Sequence, residues 1–292
     1  MTDLSIIIVN YNTRDLLKKC LESVISNWLL AEDKPPAFNR KLKITKPQLL
    51  AAEVIVVDNG STDGSGEYIG KLKRLRMNGL EIKTVLNKQN LGFAKAVNQG
   101  INQAQGKYIL LLNSDTRVQK NSLNRLLKFA KSNPQAGIIG ARLVNPDGSI
   151  QPSVYHFPSI KKAFKEFWLG EDGEYEKYVP QTQKAIEVDA VTGAAMLIPR
   201  ETIKKVGFFD ERYFMYFEDL DYCRRARRTG LKVYYLPEAT ILHHHGQSAV
   251  KVGNKAYQWL CQSSKIYNGV IKYWLLTIII FLGRKIRRLK KF

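Results

Sequence analysis

Asp115 closes the run Tyr108-Ile109-Leu110-Leu111-Leu112-Asn113-Ser114-Asp115, in which an apolar strand delivers one carboxylate to its carboxyl end. In open α/β sheets that edge is where ligands bind. A second acidic station, Glu218-Asp219-Leu220-Asp221, lies far downstream and is trailed by His243, His244 and His245. One carboxylate to hold a divalent ion on a diphosphate, and another to take a proton from a hydroxyl, would suit transfer of a sugar.

Each station also has a purely local use. Asn113-Ser114-Asp115 is a degenerate Asp-x-Asp element, suited to hard ions such as Mg²⁺ or Mn²⁺, or else a turn. Adjacent strand residues face opposite ways, so three consecutive histidines cannot converge on one zinc. One of them completing the Asp115 site fits Mn²⁺. Glu218, Asp219 and Asp221 open a helix, where unpaired N–H groups favour carboxylates and keep them ionised. Asp221 sits four residues before Arg225 and reads as half of a helical ion pair. That leaves Asp219 or Glu218 for chemistry. Asp58 ends a second apolar run ahead of Asn59-Gly60-Ser61-Thr62-Asp63-Gly64-Ser65. It can accept from a pyrimidine N3–H or a ribose hydroxyl, or simply make the turn.

These stations need strands to carry them. Residues 4–9, 54–57 and 108–112 are short apolar runs of the kind buried parallel strands show, and residues 82–86 read as a further strand. Helical patterns separate them: Leu16, Leu17, Leu21, Val24 and Ile25 after a capping Thr13, then Phe93, Ala96, Val97, Ile101 and Ala104. The alternation predicts a doubly wound α/β sheet. Further strands are expected at 137–143, 194–198, 231–236 and 240–242, with a helix over 218–228. Residues 163–178 mix aromatics with charges and suit a helix over a cleft. Residues 28–52, with Pro35, Pro36 and Pro47, interrupt the pattern as an insertion, either a surface excursion or a partner-binding loop.

The 292 residues suffice for one large α/β domain with an appendage, and carry a formal net charge of +20. That excess favours anionic partners such as nucleotide sugars or acidic lipid. A nucleic-acid-binding protein lacks its interleaved aromatic–basic motif here. The cysteines Cys20, Cys223 and Cys261 fit neither a disulfide framework nor a zinc site. Met1-Thr2-Asp3-Leu4 runs straight into a strand, without the basic and apolar regions of a secretory signal. The other end differs. Residues 266–283 are apolar apart from Asn268, Lys272 and Thr277, and as a helix they reach roughly 27 Å, just short of a hydrocarbon core. Arg284, Lys285, Arg287, Arg288, Lys290 and Lys291 follow. This predicts a membrane-associated tail over 251–292, spanning or interfacial, on the cytoplasmic, anionic side.

Taken in order, these pieces resemble the inverting family 2 glycosyltransferases of the GT-A fold, and within them the rhamnosyltransferase-type branch. The resemblance covers about residues 4–248. It is carried by Ser5-Ile6-Ile7-Ile8-Val9-Asn10-Tyr11-Asn12, by Val56-Val57-Asp58-Asn59-Gly60-Ser61 and by Asn90-Leu91-Gly92-Phe93-Ala94. Leu112-Asn113-Ser114-Asp115, Thr192-Gly193-Ala194 and Gly207-Phe208-Phe209-Asp210-Glu211 continue it. Glu218-Asp219-Leu220-Asp221-Tyr222-Cys223-Arg224-Arg225 and the spaced His243, Gly246 and Ser248 complete it. It implies a Rossmann-like mixed sheet flanked by helices over 1–250, and a UDP- or dTDP-sugar donor. It implies a base and ribose pocket at Asn10, Tyr11 and Asp58, and donor contacts at Asn90, Gly92, Asn98, Asn113 and Ser114. Asp115 and His243 would hold Mn²⁺ or Mg²⁺, Asp219 beside Glu218 would be the general base, and Gly193, Ala194 and Tyr216 would meet a glycan or lipid-linked acceptor. Two features depart from the family pattern: Asn113 replaces the first Asp of Asp-x-Asp, and the insertion at 28–52 is atypical. A non-catalytic membrane scaffold of the same fold is the alternative that the two acidic stations oppose.

Overall fold

The computed structural model describes residues 2–29, 51–72, 76–77, 79–244 and 253–289. The insertion, His245, Gly246, Ser248 and the basic residues Lys290 and Lys291 therefore lie outside the described residues, apart from the insertion's two ends.

Four parallel strands form the first half: β1 (Thr2–Asn10), β2 (Ala51–Asp58), β4 (Leu80–Leu86) and β5 (Tyr108–Asn113), with a short β3 (Arg76–Met77) at the edge. Strands β1, β2 and β5 read as mostly apolar runs because both faces are covered, whereas β4, nearer the sheet edge, carries Glu81 and Lys83 and is buried only at Leu80 and Ile82. Leu4, Ile6, Ile8, Leu110 and Leu112 pack into one core with helix α1 (Arg14–Leu29), whereas Ile7, Ile109 and Leu111 pack into a second core with α3 (Phe93–Gln103). A period of two assigns the faces. A smaller α2 (Ser65–Lys71) lies beside β2 and β4.

The second half turns the sheet mixed. Its strands are β6 (Thr116–Val118), β7 (Ala136–Val144), β8 (Ile150–Gln151), β9 (Val154–Tyr155), β10 (Ile186–Val188), β11 (Ala190–Val191), β12 (Ala195–Pro199) and β13 (Lys232–His243). The main order is β10-β13-β7-β12-β5-β1-β2-β4-β3. Here β12 runs antiparallel to both β5 and β7, while β13 runs parallel to β7. The purely parallel reading therefore holds only for the first four long strands. The two strands expected at 231–236 and 240–242 are one strand, whose register against β7 slips between Leu236 and Thr240. Helices α4 (Ser122–Ser132), α6 (Arg200–Val206) and α7 (Glu218–Arg228) cover these strands.

Residues 163–178 hold less helix than expected: α5 (Ile160–Phe164) runs into a π-helical turn over Lys165–Leu169, and Gly170 ends it in the left-handed conformation. The C-terminal segment is two helices, α8 (Asn254–Asn268) and α9 (Val270–Leu289), divided at Gly269 with φ of 74°. Among the described residues no helix is long and apolar enough to cross a membrane. Gly269 breaks the apolar run, and α9 carries Lys272, Arg284, Lys285, Arg287 and Arg288. Leu276 on α9 packs with Ala163 and Phe167 of the α5 segment. Contact is close enough there that a Cβ on Gly283 would lie 2.7 Å from that of Phe167.

Candidate active site

Register builds the site. Asn10 pairs with Asp58 across β1 and β2, and Val9 pairs with Asn113 across β1 and β5, so three strands end at one level. Pairing of His243 with Thr116 across β13 and β6 brings the histidine beside Asp115, whose carbonyl accepts from the His244 N–H at 2.9 Å. Above this edge opens a cleft of about 720 Å³.

Asp115 and Asp219 line that same cleft, together with Asn113, Ser114, Gly193, Ala194, Tyr216, Glu218 and His243. The two residues expected to hold a metal lie together: His243 Nε2 is 3.3 Å from Asp115 Oδ1. Both side chains are buried. Gln151 Oε1 sits 2.6 Å from His243 Nδ1 on the far side of the ring. Among the described residues no cluster of three or more His, Cys, Asp or Glu side chains forms a closed cage. One carboxylate and one imidazole, open toward a cleft, nevertheless fit an Mg²⁺- or Mn²⁺-type ion that takes its other oxygens from a phosphate and water.

Tyr11, Asn59 and Asn90 also line the cleft. Asn59 gathers this part of the wall together, donating to Asn90 Oδ1 at 2.9 Å and to the Gly92 carbonyl at 3.1 Å while accepting from the Leu91 N–H at 3.0 Å. Asn10 and Asp58 lie beneath rather than on the wall. The Asp58 carboxylate accepts from Asn10 Nδ2 at 2.9 Å and from Ser61 Oγ at 2.6 Å. Thr13, expected to cap α1, gives its hydroxyl to this network instead, 2.8 Å from Asn10 Oδ1 and 2.7 Å from Ser114 Oγ. Asp63 accepts from the Arg14 N–H in its place. Asn98 is directed elsewhere: its amide exchanges hydrogen bonds with the Phe209 backbone and donates to Glu211.

The acidic station opens α7, and Asp221 pairs with Arg224 and Arg225 at 3.0 and 2.7 Å. Asp219 instead faces the cleft, with Oδ2 accepting from the Gly193 N–H at 3.1 Å and Oδ1 from the Leu220 N–H at 2.8 Å. Burial raises its pKa, opposed by the Lys177 ammonium and these two N–H groups. Glu218 is raised well above the usual carboxylate range, by burial and then by the Asp219 charge. Its Oε2 is buried without a hydrogen-bond partner among the described residues. The Lys177 ammonium and two backbone N–H groups favour the charged form of Asp219, whereas the Asp219 charge pushes Glu218 further up. Lys177 and Tyr155, both on the cleft wall, escaped sequence reasoning. They lie in the irregular 152–178 segment, where no periodicity marks a functional side chain.

The two residues before Glu218 are strained, Tyr216 with φ of 71° and Phe217 with φ of 66°. Such conformations cost about 1–3 kcal/mol each in non-glycine residues and persist only when surroundings enforce them. Helix α8 enforces these: Tyr267 packs at a tilt on Phe217 with ring centroids 5.2 Å apart, Trp259 on Phe214 at 4.5 Å, and Ser263 Oγ donates to the Met215 carbonyl. From the other side the Phe93 N–H donates to the Phe214 carbonyl. Gly92, at φ of 89°, leaves no room for a Cβ, which would fall 2.7 Å from that oxygen. The C-terminal segment is thus part of the site wall.

The sequence model of glycosyl transferase family 2 matches residues 5–207. The chain belongs to that family. It is a glycosyltransferase of the inverting kind that works from a nucleotide-sugar donor. It is 31% identical over 212 residues to the N-acetylglucosaminyl-diphospho-decaprenol L-rhamnosyltransferase of Mycobacterium tuberculosis, covering 67% of each protein. It is 24% identical to the dTDP-rhamnosyl transferase RfbF of Shigella flexneri, covering 75% of this chain and 68% of that one. In fold it is similar to GalNAc-T7 crystallised with UDP, GalNAc and Mn²⁺, with TM-score 0.60 and 17% identity over 83% of this chain and 44% of that one. It is similar also to residues 1–349 of S. aureus TarS, with TM-score 0.54 and 16% identity over 91% and 70%.

Proposed function

We propose that this glycosyltransferase moves rhamnose from a dTDP- or UDP-linked donor to a hydroxyl of a lipid-linked or cell-surface glycan. The observation that carries the reading is one cleft with two chemically distinct ends: Asp115 with His243 at one, Asp219 with Glu218 at the other. Relatives named as rhamnosyltransferases support the sugar.

Asp115 and His243 would hold a divalent ion, which when bound offsets charge on the departing diphosphate. Tyr11, Asn59 and Asn90 form the wall against which the nucleoside would lie. The acceptor hydroxyl enters beside Gly193, Ala194 and Tyr216 and hydrogen-bonds to Asp219. As its oxygen attacks the anomeric carbon, the carbon–oxygen bond to the diphosphate breaks on the opposite face and the proton passes to Asp219. The Gly193 and Leu220 N–H groups hold that carboxylate in line. The raised pKa of Glu218 disfavours a second negative charge beside it.

Helix α9 supports a place at an anionic membrane surface. Ile271, Trp274, Leu275, Ile278 and Leu282 follow helical spacing, and each is more than 40% exposed. The opposite stripe, with Leu276 and Gly283, packs on the α5 segment. An exposed apolar stripe beside Arg284 and Lys285 suits a helix lying in the interface, on the face where a lipid-linked acceptor would be presented.

A panel of nucleotide sugars assayed with and without Mn²⁺, using a polyprenyl-diphosphate-linked sugar as acceptor, tests the reaction. Metal-dependent transfer from dTDP-rhamnose is expected. Nucleotide-sugar binding without transfer to any acceptor would favour a scaffold. For the membrane reading, the full chain should sediment with phosphatidylglycerol-containing vesicles, and the Ile271→Asp, Ile278→Asp double variant should not. Equal sedimentation of both proteins would remove α9 from that role.

A further inference from the structure

A polar chain leads from the turn after β7 to the buried face of His243. Asp147 Oδ1 accepts from Ser149 Oγ at 2.6 Å, and the Ser149 hydrogen bonds hold Asp147 below its ordinary pKa. An ionised carboxylate only accepts, so that hydroxyl's hydrogen is used. Asn145, 2.9 Å from Ser149 Oγ, must therefore turn its amide nitrogen toward it. Asn145 Oδ1 then faces Gln151 and accepts from Nε2 at 2.9 Å. The end of the Gln151 amide left for the histidine is its oxygen, 2.6 Å from Nδ1. An oxygen there requires Nδ1–H. In the neutral ring Nε2 then carries the lone pair, on the side of Asp115. The chain from the surface turn thus favours Nδ1–H, and the Asn113 amide nitrogen, 3.4 Å from Nε2, can donate to the lone pair there, whereas the Asp115 carboxylate alone would favour a proton on Nε2.

We propose that Gln151 is a positioning residue that locks His243 as the Nδ1–H tautomer and thereby presents Nε2 as a metal ligand beside Asp115. The proposal rests on reading Asp115 and His243 as the metal pair. Gln151 is 7% exposed, lies outside the cleft wall and belongs to none of the motifs read from the sequence. Partners of this type on a ligating histidine typically contribute about 10- to 100-fold in metal affinity.

The test uses the full chain. Imidazole ¹⁵N NMR on metal-free protein reads the tautomer, and electron paramagnetic resonance titration reads Mn²⁺ affinity in the presence of dTDP. The wild type should show Nδ1–H. Gln151→Leu, which removes the acceptor, should allow the Nε2–H form and weaken Mn²⁺ by about 10- to 100-fold. Gln151→Glu keeps an oxygen opposite Nδ1 and should retain the Nδ1–H signature and most of the affinity. Asp115→Asn separates the two claims. If it leaves Mn²⁺ binding intact, the metal pair is misassigned. If it abolishes Mn²⁺ binding while Gln151→Leu keeps both wild-type affinity and the Nδ1–H signature, the positioning role is overturned. Should Gln151→Leu fail to fold, an Nε2–H ring in Gln151→Glu overturns it equally.

Discussion

Glu218→Gln should stabilise the protein at neutral pH, and by an amount that depends on pH. Glu218 is buried at the head of α7 with Oε2 unpartnered, and its pKa is raised well above the ordinary value. A carboxyl group with a raised folded pKa holds its proton more tightly folded than unfolded. Its effect on stability is therefore absent below the unfolded pKa of about 4.3 and becomes a growing penalty as pH rises toward the folded value. Within that window the penalty accumulates by up to about 1.4 kcal/mol per pH unit. Glutamine keeps the shape and cannot ionise, so it removes the penalty. Urea unfolding of both proteins at pH 5, 6 and 7 is the assay. The midpoint difference should widen with pH in favour of the variant, with m unchanged. A difference that stays flat, or a variant that is less stable at every pH, would show that Glu218 ionises as an ordinary carboxyl and that its environment has been misread.

Other consequences follow from the same geometry. Because burial raises Asp219, the acid limb of kcat should lie above the ordinary aspartate pKa, the rate falling about tenfold per pH unit below it; a limb near pH 4 contradicts this. Tyr267→Leu removes the ring packed against strained Phe217, and should lower kcat while leaving the donor dissociation constant nearly unchanged, as steady-state kinetics and calorimetry can separate. Gly92→Ala forces a Cβ against the Phe214 carbonyl at a left-handed position and should cost about 1–3 kcal/mol, read from thermal or urea unfolding.

The half of the fold built from parallel strands was legible because such strands are buried on both faces and spell continuous apolar runs. Strand ends then placed Asp58 and Asp115 at one edge without further information. The antiparallel entry of β12 between β5 and β7 leaves no comparable mark, since a buried strand reads the same in either direction. The slip in β13 read as two strands because Pro237-Glu238-Ala239 breaks the pattern. In the site, residues in dense local motifs were found, and those acting alone were not. Asn59 appeared only as turn material, although four of its side-chain hydrogen bonds tie together Asn87, Asn90, Leu91 and Gly92 beside the cleft. Gln151, on the two-residue β8, meets His243 from behind the site, and Lys177 reaches the cleft from an irregular segment. Asn98 shows the converse: its motif context pointed to the donor, while its amide holds the Phe209 backbone. The apolar C-terminal run signalled lipid, but not that its preceding helix would brace the loop carrying the acids.

The central claim is a division of labour in one cleft, with donor and diphosphate held at the Asp115 end and the acceptor proton taken at Asp219. Asp219→Asn tests it most directly when nucleotide-sugar affinity and transfer rate are measured on the same preparation. Donor affinity should stay within a few-fold of wild type while transfer falls by about 10²- to 10⁴-fold, the usual contribution of a general base. Transfer within a few-fold of wild type, or a parallel loss of donor binding, would contradict the account.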